Sequence, residues 1–196
     1  MKHTKAVENG KEHRMTKTVE VRIKGISAIL MHRFPMEPIV DPPIEKRSKE
    51  NQAELSAYRH PETDELYVPG VCVRSAMVGA GTYSKGKGRA TLQKPIAACL
   101  QVMPEYLLLG THDFVIDSRP IVNPSTRGRI IRHRPRIDEW ELSFEMEFDD
   151  ALVTEGQVRT ILDDAGKRVG ILDYRPANKG PFGRFVVTHW EMNSKS

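Results

Sequence analysis

Between residues 137 and 170 the spacing of the apolar residues changes once, and this change restricts the possible folds more than any other feature of the chain. Trp140, Leu142, Phe144, Met146 and Phe148 recur at every second position among acids in "IDEWELSFEMEF". That alternation predicts a long antiparallel strand with one face on a core and the other in water. A few residues later Thr154-Glu155-Gly156-Gln157 has the pattern of a capping box. Val158, Ile161, Leu162, Ala165 and Val169 then repeat at helical spacing until Gly170 stops them. A strand followed at once by an amphipathic helix calls for a layered sheet on which both bury their apolar sides.

The rest of the chain supplies the other layers. From Thr18, Val19, Val21 and Ile23 alternate with charged partners and run on into "ISAILMH", a first strand entering a core. Residues 33–65 carry Pro35, Pro38, Pro42, Pro43 and Pro61 around a charged middle with room for one short helix in 45–58. Excursions of this length in a compact domain tend to be functional or mobile. In "ELYVPGVCVRSAMVGAG", Pro69 and Gly70 break a short strand. A helix then buries Val73, Met77 and Ala80 and ends at Gly79 and Gly81. Residues 96–109, interrupted by Pro104, read as strand, "HDFVIDSRPIV" as another, and "NPSTRGR" as a turn-rich tip that joins it in a hairpin to the strand of "IDEWELSFEMEF". The chain closes on a strand at 185–190.

In order the main elements are strand, helix, strand, strand, helix, strand. The expected fold class is therefore α+β, with a ferredoxin-like βαββαβ core, an antiparallel sheet and a long basic β-hairpin inserted in it. The RNA-recognition fold uses the same arrangement. The expected organisation is a mobile arm over 1–17 and a single domain over 18–196, with insertions at 33–65 and 117–138.

Overall charge does little to name a partner, since 30 Lys and Arg against 26 Asp and Glu leave only +4. What counts is where the charges sit. Residues 118–137 hold Arg119, Arg127, Arg129, Arg132, Arg134, Arg136 and His133 and no acid, with Asp117 and Asp138 on either side. Arginines on paired strands repel one another, and an anionic partner relieves that repulsion. Arginine is also the side chain suited to planar contact with phosphate. Three further stretches add to it: Lys85, Lys87 and Arg89 among glycines, Arg175, and Lys179 with Arg184 around Gly180 and Gly183 in "ANKGPFGRF". Successive amides in such a glycine loop can form an anion nest. Tyr174, Phe182 and Phe185 are candidate surfaces for base stacking.

Cys72 and Cys99 lie in apolar contexts and read as buried free thiols in a reducing compartment. No Cys or His pair has zinc spacing, so neither metal nor cofactor is expected. There is no apolar run of spanning length, and the first 18 residues are polar and charged. A protein of the bacterial or phage-infected cytoplasm, with no membrane partner, is the expectation.

Two stretches carry a family resemblance. "LYVPGVCVRSAMVGA" resembles the strand, Pro-Gly turn and helix with a basic residue found in the RAMP superfamily of CRISPR-associated proteins, and "NKGPFGRF" resembles that superfamily's glycine-rich loop before the last strand. With the long basic hairpin, the chain looks like the thumb-bearing backbone subunit of CRISPR effector complexes. It is also similar to short phage and prophage proteins of unknown function. The resemblance implies a protein that binds single-stranded RNA or DNA with little regard to sequence. It also implies head-to-tail stacking of copies into a homo-oligomer, a filament or ring. It places Arg74 at the basic position of the Pro-Gly motif, Gly180 and Gly183 in the loop, and the arginines from 119 to 136 in the thumb.

Two alternatives stand beside this reading. One is a RAMP-like endoribonuclease using His32 as general acid/base or Asp41 in the proline-rich loop, although neither has a visible partner in the sequence. Asp173, beside the glycine loop, likewise reads as unpaired, and Asp163 and Asp164 read as the solvated face of a helix. The other is a phage structural or adaptor protein whose arginine hairpin docks on an acidic protein surface, such as a neighbour's residues 138–150.

Overall fold

The computed structural model describes residues 16–34, 44–122 and 127–193. In chain order the strands are β1 (Thr16–Gly25), β2 (Ile29–Leu30), β3 (Tyr67–Pro69), β4 (Gln101–Met103), β5 (Tyr106–Leu108), β6 (Val115–Val122), β7 (Arg129–Ile137), β8 (Glu141–Asp149) and β9 (Phe185–Asn193). The helices are α1 (Lys49–Leu55), α2 (Gly70–Ala80), α3 (Gln93–Cys99) and α4 (Glu155–Asp164). The expected arm at 1–17 lies outside the described residues except for its last two, which already belong to β1.

The main sheet runs β4-β8-β1-β9, antiparallel throughout. With α2 between β1 and β4, and α4 between β8 and β9, this is the ferredoxin-like βαββαβ arrangement that the element order predicts. Alternation decides which side is buried. Val19, Val21 and Ile23 of β1 and Leu142, Phe144, Met146 and Phe148 of β8 point inward, against Val73, Ala76, Met77 and Ala80 of α2 and Val158, Ile161 and Leu162 of α4. The α4 capping box is present, with Thr154 Oγ1 accepting from the Gln157 N–H and Gln157 Oε1 accepting from the Thr154 N–H. The helix continues into a π turn at Ala165–Val169 and stops at Gly170, whose φ is +73°.

Three readings change. The run from Thr18 to the core is two strands, because the chain bends at residues 26–28, where the Trp140 indole N–H donates to the Ser27 carbonyl at 2.8 Å. β1 stays in the main sheet while β2 joins β7 and β6 in a second sheet, Ile29 opposite Ile137. The arginine stretch after the tip is itself the strand β7, and β8 belongs to the main sheet rather than to the hairpin. Residues 96–109 are not one strand: Leu92, Ile96 and Leu100 bury at i, i+4 and i+8 along α3. Pro104 then separates β4, on the main sheet, from β5, on β3. Pro95 lies in the first turn of α3, where a missing N–H costs nothing.

Candidate nucleic-acid interface

The β6–β7 register decides where each arginine points. Residues opposite one another in an antiparallel pair share a face. Asp117 pairs with Arg134, Arg119 with Arg132 and Ile121 with Ile130, so Asp117, Arg119, Arg132, Arg134 and Arg136 lie on one face. The other face carries Ser118 with His133, Pro120 with Ile131, and Val122 with Arg129. The Ser118 hydroxyl and His133 Nδ1 are 2.7 Å apart.

The arginine face is not free of acids in three dimensions. Buried Asp117 accepts from Arg119 Nε at 2.7 and 3.0 Å, and Arg136 pairs with Asp138 at 2.9 Å and with Asp117 at 3.8 Å. Arg134, only 4% exposed, is paired with Asp173, 39 residues away in sequence. Arg134 is thus a buried structural cation, a correction to its reading as an open phosphate contact, because a side chain already closed over a carboxylate presents little to a ligand. Arg127 and Arg129, at the tip, are exposed and have no ion-pair partner among the described residues.

Residues 171–184 lie beside the base of the hairpin. The Arg119 guanidinium sits 4.8 Å over the Phe182 ring, and Tyr174 lies 6.0 Å from the same ring. A groove of about 510 Å³ opens between the two segments, lined by His32, Arg119, Arg134, Asp173, Tyr174 and Asn178. The Asp173 N–H donates to the Leu30 carbonyl at 3.0 Å, which draws the chain after β2 against this loop and places His32 Nδ1 3.3 Å from Asp173 Oδ2. Both residues therefore have the partner that the sequence does not reveal. Burial of Asp173 works against its charge, but the His32 hydrogen bond, the Arg134 charge and the Tyr174 N–H outweigh it and hold its pKa at about 2. Asp41 lies outside the described residues.

The glycine loop serves the fold more than an anion. The Gly180 N–H donates to Arg175 O at 3.0 Å, that of Phe182 to Tyr174 O at 3.3 Å, that of Gly183 to Ala28 O at 2.8 Å and that of Arg184 to Ser27 Oγ at 3.0 Å. The expected amide nest is corrected accordingly, since these donors are spent inside the protein. A side chain at Gly183, whose φ is +73°, would collide with the Ile171 carbonyl, and one at Gly180 with the Tyr174 carbonyl. The close approach that these glycines permit is that of their own chain.

The remaining basic residues are dispersed. Arg74 donates to the carbonyls of Leu100, at 2.9 Å, and Ala97, so it closes the end of α3 instead of facing outward. Arg175 donates to Leu172 O at 2.7 Å. Lys179, next to the Asn178 that lines the groove, and Arg184 are exposed. Lys85, Lys87 and Arg89 are exposed on the loop after α2, a helix length from the α2 N-terminus that borders His32. Of the stacking candidates, Phe182 and Phe185 are buried and Tyr174 is 38% exposed. Asp163 pairs with Arg159 on α4, and Asp164 with Arg168 in the π turn that follows it.

The outer face of the main sheet, where an RNA-recognition domain stacks bases, carries carboxylates here. Glu20 stands opposite Glu145 on one side and Glu191 on the other, and Lys24 opposite Glu141. Among the described residues no helix is long and apolar enough to cross a membrane, and no group of three or more His, Cys, Asp or Glu is arranged to hold a metal ion.

No protein-family model matches the chain, and no curated protein matches it. Among solved structures it is similar to one chain of a Type IV-B CRISPR complex, with a TM-score of 0.45 and 14% identical residues over 91% of each chain.

Proposed function

We propose that this protein is a RAMP-like, sequence-tolerant binder of single-stranded RNA or DNA that assembles head to tail along the strand in the cytoplasm. The observation that carries the reading is the contact of Arg119 with Phe182, which holds the hairpin and the 171–184 loop on one side of the molecule. Exposed Arg127 and Arg129 then lie toward the tip of that arm, Arg129 on the face opposite Arg119, while exposed Lys179 follows the Asn178 that lines the groove and Arg184 is exposed two residues past Phe182. The backbone contacts fall to these exposed side chains, while Arg119, Arg134, Arg136, Arg74 and Arg175 act by shaping the surface. Lys85, Lys87 and Arg89 meet the strand beyond the groove, toward the next copy. Assembly is a heterologous, head-to-tail contact between copies, which leads to rings or open filaments.

Titration with single-stranded RNA, single-stranded DNA and duplex tests the reading. Binding of single strands should weaken with salt, with a slope of roughly −0.7 in log affinity per phosphate neutralised. A flat salt response, or no binding at low salt, counts against it. Assembly that persists without any oligonucleotide binding identifies an adaptor instead.

The His32–Asp173 contact favours one second reading, an endoribonuclease in which Asp173 orients His32 as general acid/base for attack of a 2′-hydroxyl on the adjacent phosphate. Cleavage of RNA, with DNA left intact and loss of cleavage in His32→Ala, is its test.

A further inference from the structure

Three tyrosines from three elements meet in a row. The rings of Tyr58, just after α1, and Tyr67, at the start of β3, are 5.7 Å apart. Tyr67 and Tyr106, at the start of β5, are 4.8 Å apart, and His60 lies 5.0 Å beyond Tyr106, all edge to face. The β3–β5 register explains the arrangement. Val68 and Leu107 pair on the side turned to the core and are at most 1% exposed. Tyr67 opposite Leu108, and Pro69 opposite Tyr106, form the other side, where both tyrosines are half-buried and Leu108 is exposed. The aliphatic side of this ribbon supplies the core contact, and the aromatic side faces out.

The row is continuous with the groove under the hairpin. Tyr58 lines a cavity of about 310 Å³ together with His32, Asp173 and Arg175, and His32 and Asp173 are also walls of the groove beside Arg119. Arg33 lies near enough for its charge to act on both Tyr58 and Tyr67. The outer sheet face, by contrast, would repel a polyanion with its row of carboxylates.

We propose that Tyr58, Tyr67 and Tyr106 form the platform on which unpaired bases stack, entered from the cavity beside His32. This rests on the nucleic-acid reading and deepens it by assigning the surface that holds the bases. Every base has a π face, so such a platform is tolerant of sequence.

The full-length protein is titrated with a labelled single-stranded oligonucleotide and with an abasic oligomer of equal length, which keeps the phosphates and lacks the bases. The expected result is affinity for the abasic oligomer lower by about tenfold or more, as loss of base–aromatic stacking implies. Tyr67→Leu with Tyr106→Leu should then weaken binding of the normal strand and leave the abasic one unchanged, while Tyr67→Phe with Tyr106→Phe keeps both. Equal affinity of the wild-type protein for the two oligomers overturns the platform and spares nucleic-acid binding itself. No binding of either overturns both. If the double leucine variant fails to fold, Tyr106→Leu alone takes its place, and an undiminished preference of that variant for the normal strand overturns the platform.

Discussion

Glu20 of β1 and Glu145 of β8 stand directly opposite one another on the outer face of the main sheet, with Glu191 of β9 on the far side of Glu20. Like charges at opposed positions destabilise a sheet. Glu20→Gln should therefore raise stability, by a few tenths to about 1 kcal/mol. Thermal melts at low and high salt check this, since screening should shrink the gain.

Arg134 and Asp173 are a partly buried pair linking the hairpin to the 171–184 loop. Removing one partner leaves the other charge uncompensated, at a cost of about 3–5 kcal/mol when burial is complete. Because Asp173 keeps 26% side-chain exposure, Arg134→Met should fall at or below the lower end of that range. Urea denaturation of the variant and the parent measures the difference.

Asp173, held charged by the His32 hydrogen bond and the Arg134 charge, sets a pH dependence. The pKa of Asp173 falls from an ordinary 3.8 to about 2 on folding, so the unfolded chain takes up the proton first. The stabilisation is whole above the unfolded value and is lost as pH falls through about 2. Relative to Asp173→Asn, the wild-type advantage should shrink as pH falls from the ordinary 3.8 toward about 2. An advantage undiminished across that window would contradict the assignment.

Arg127 and Arg129 have no ion-pair partner among the described residues, in contrast to Arg134. Arg127→Ala with Arg129→Ala should leave the stability within about 0.5 kcal/mol of the parent, as for surface changes generally. The salt slope for single strands should fall by about 1.4 if both contact phosphate. A melt and a salt titration on one preparation separate the two effects.

Gly183 combines a positive φ with the Ile171 carbonyl where its Cβ would be. Gly183→Ala should cost at least about 1–2 kcal/mol from the left-handed conformation alone, with the collision added. The loss should appear in the melt with no nucleic acid present, which distinguishes packing from a ligand contact.

Much of the scaffold could be read from spacing alone. The alternation in β8, the capping box of α4, and Val73 and Met77 on α2 each depend on neighbours within a few residues, and each takes the expected form. α3 was missed because apolar residues around Pro104 suit strand or helix equally. The bend at residues 26–28 was missed because its cause, the Trp140 indole, lies more than a hundred residues away in the chain.

The site was less legible for the same reason. The amino-acid order by itself determined that arginines gather on an extended arm, that glycines precede the last strand, and that a βαββαβ order can close into one antiparallel sheet. Only the tertiary structure decided that Asp173 neutralises Arg134 at the arm's base, and that the amides of Gly180 and Gly183 are spent on Arg175 and Ala28. It also brought His32 to Asp173 and three tyrosines into a row. Local patterns reflect interactions between residues close in the chain, whereas charge pairing and exposure depend on which distant segments the folded core brings together.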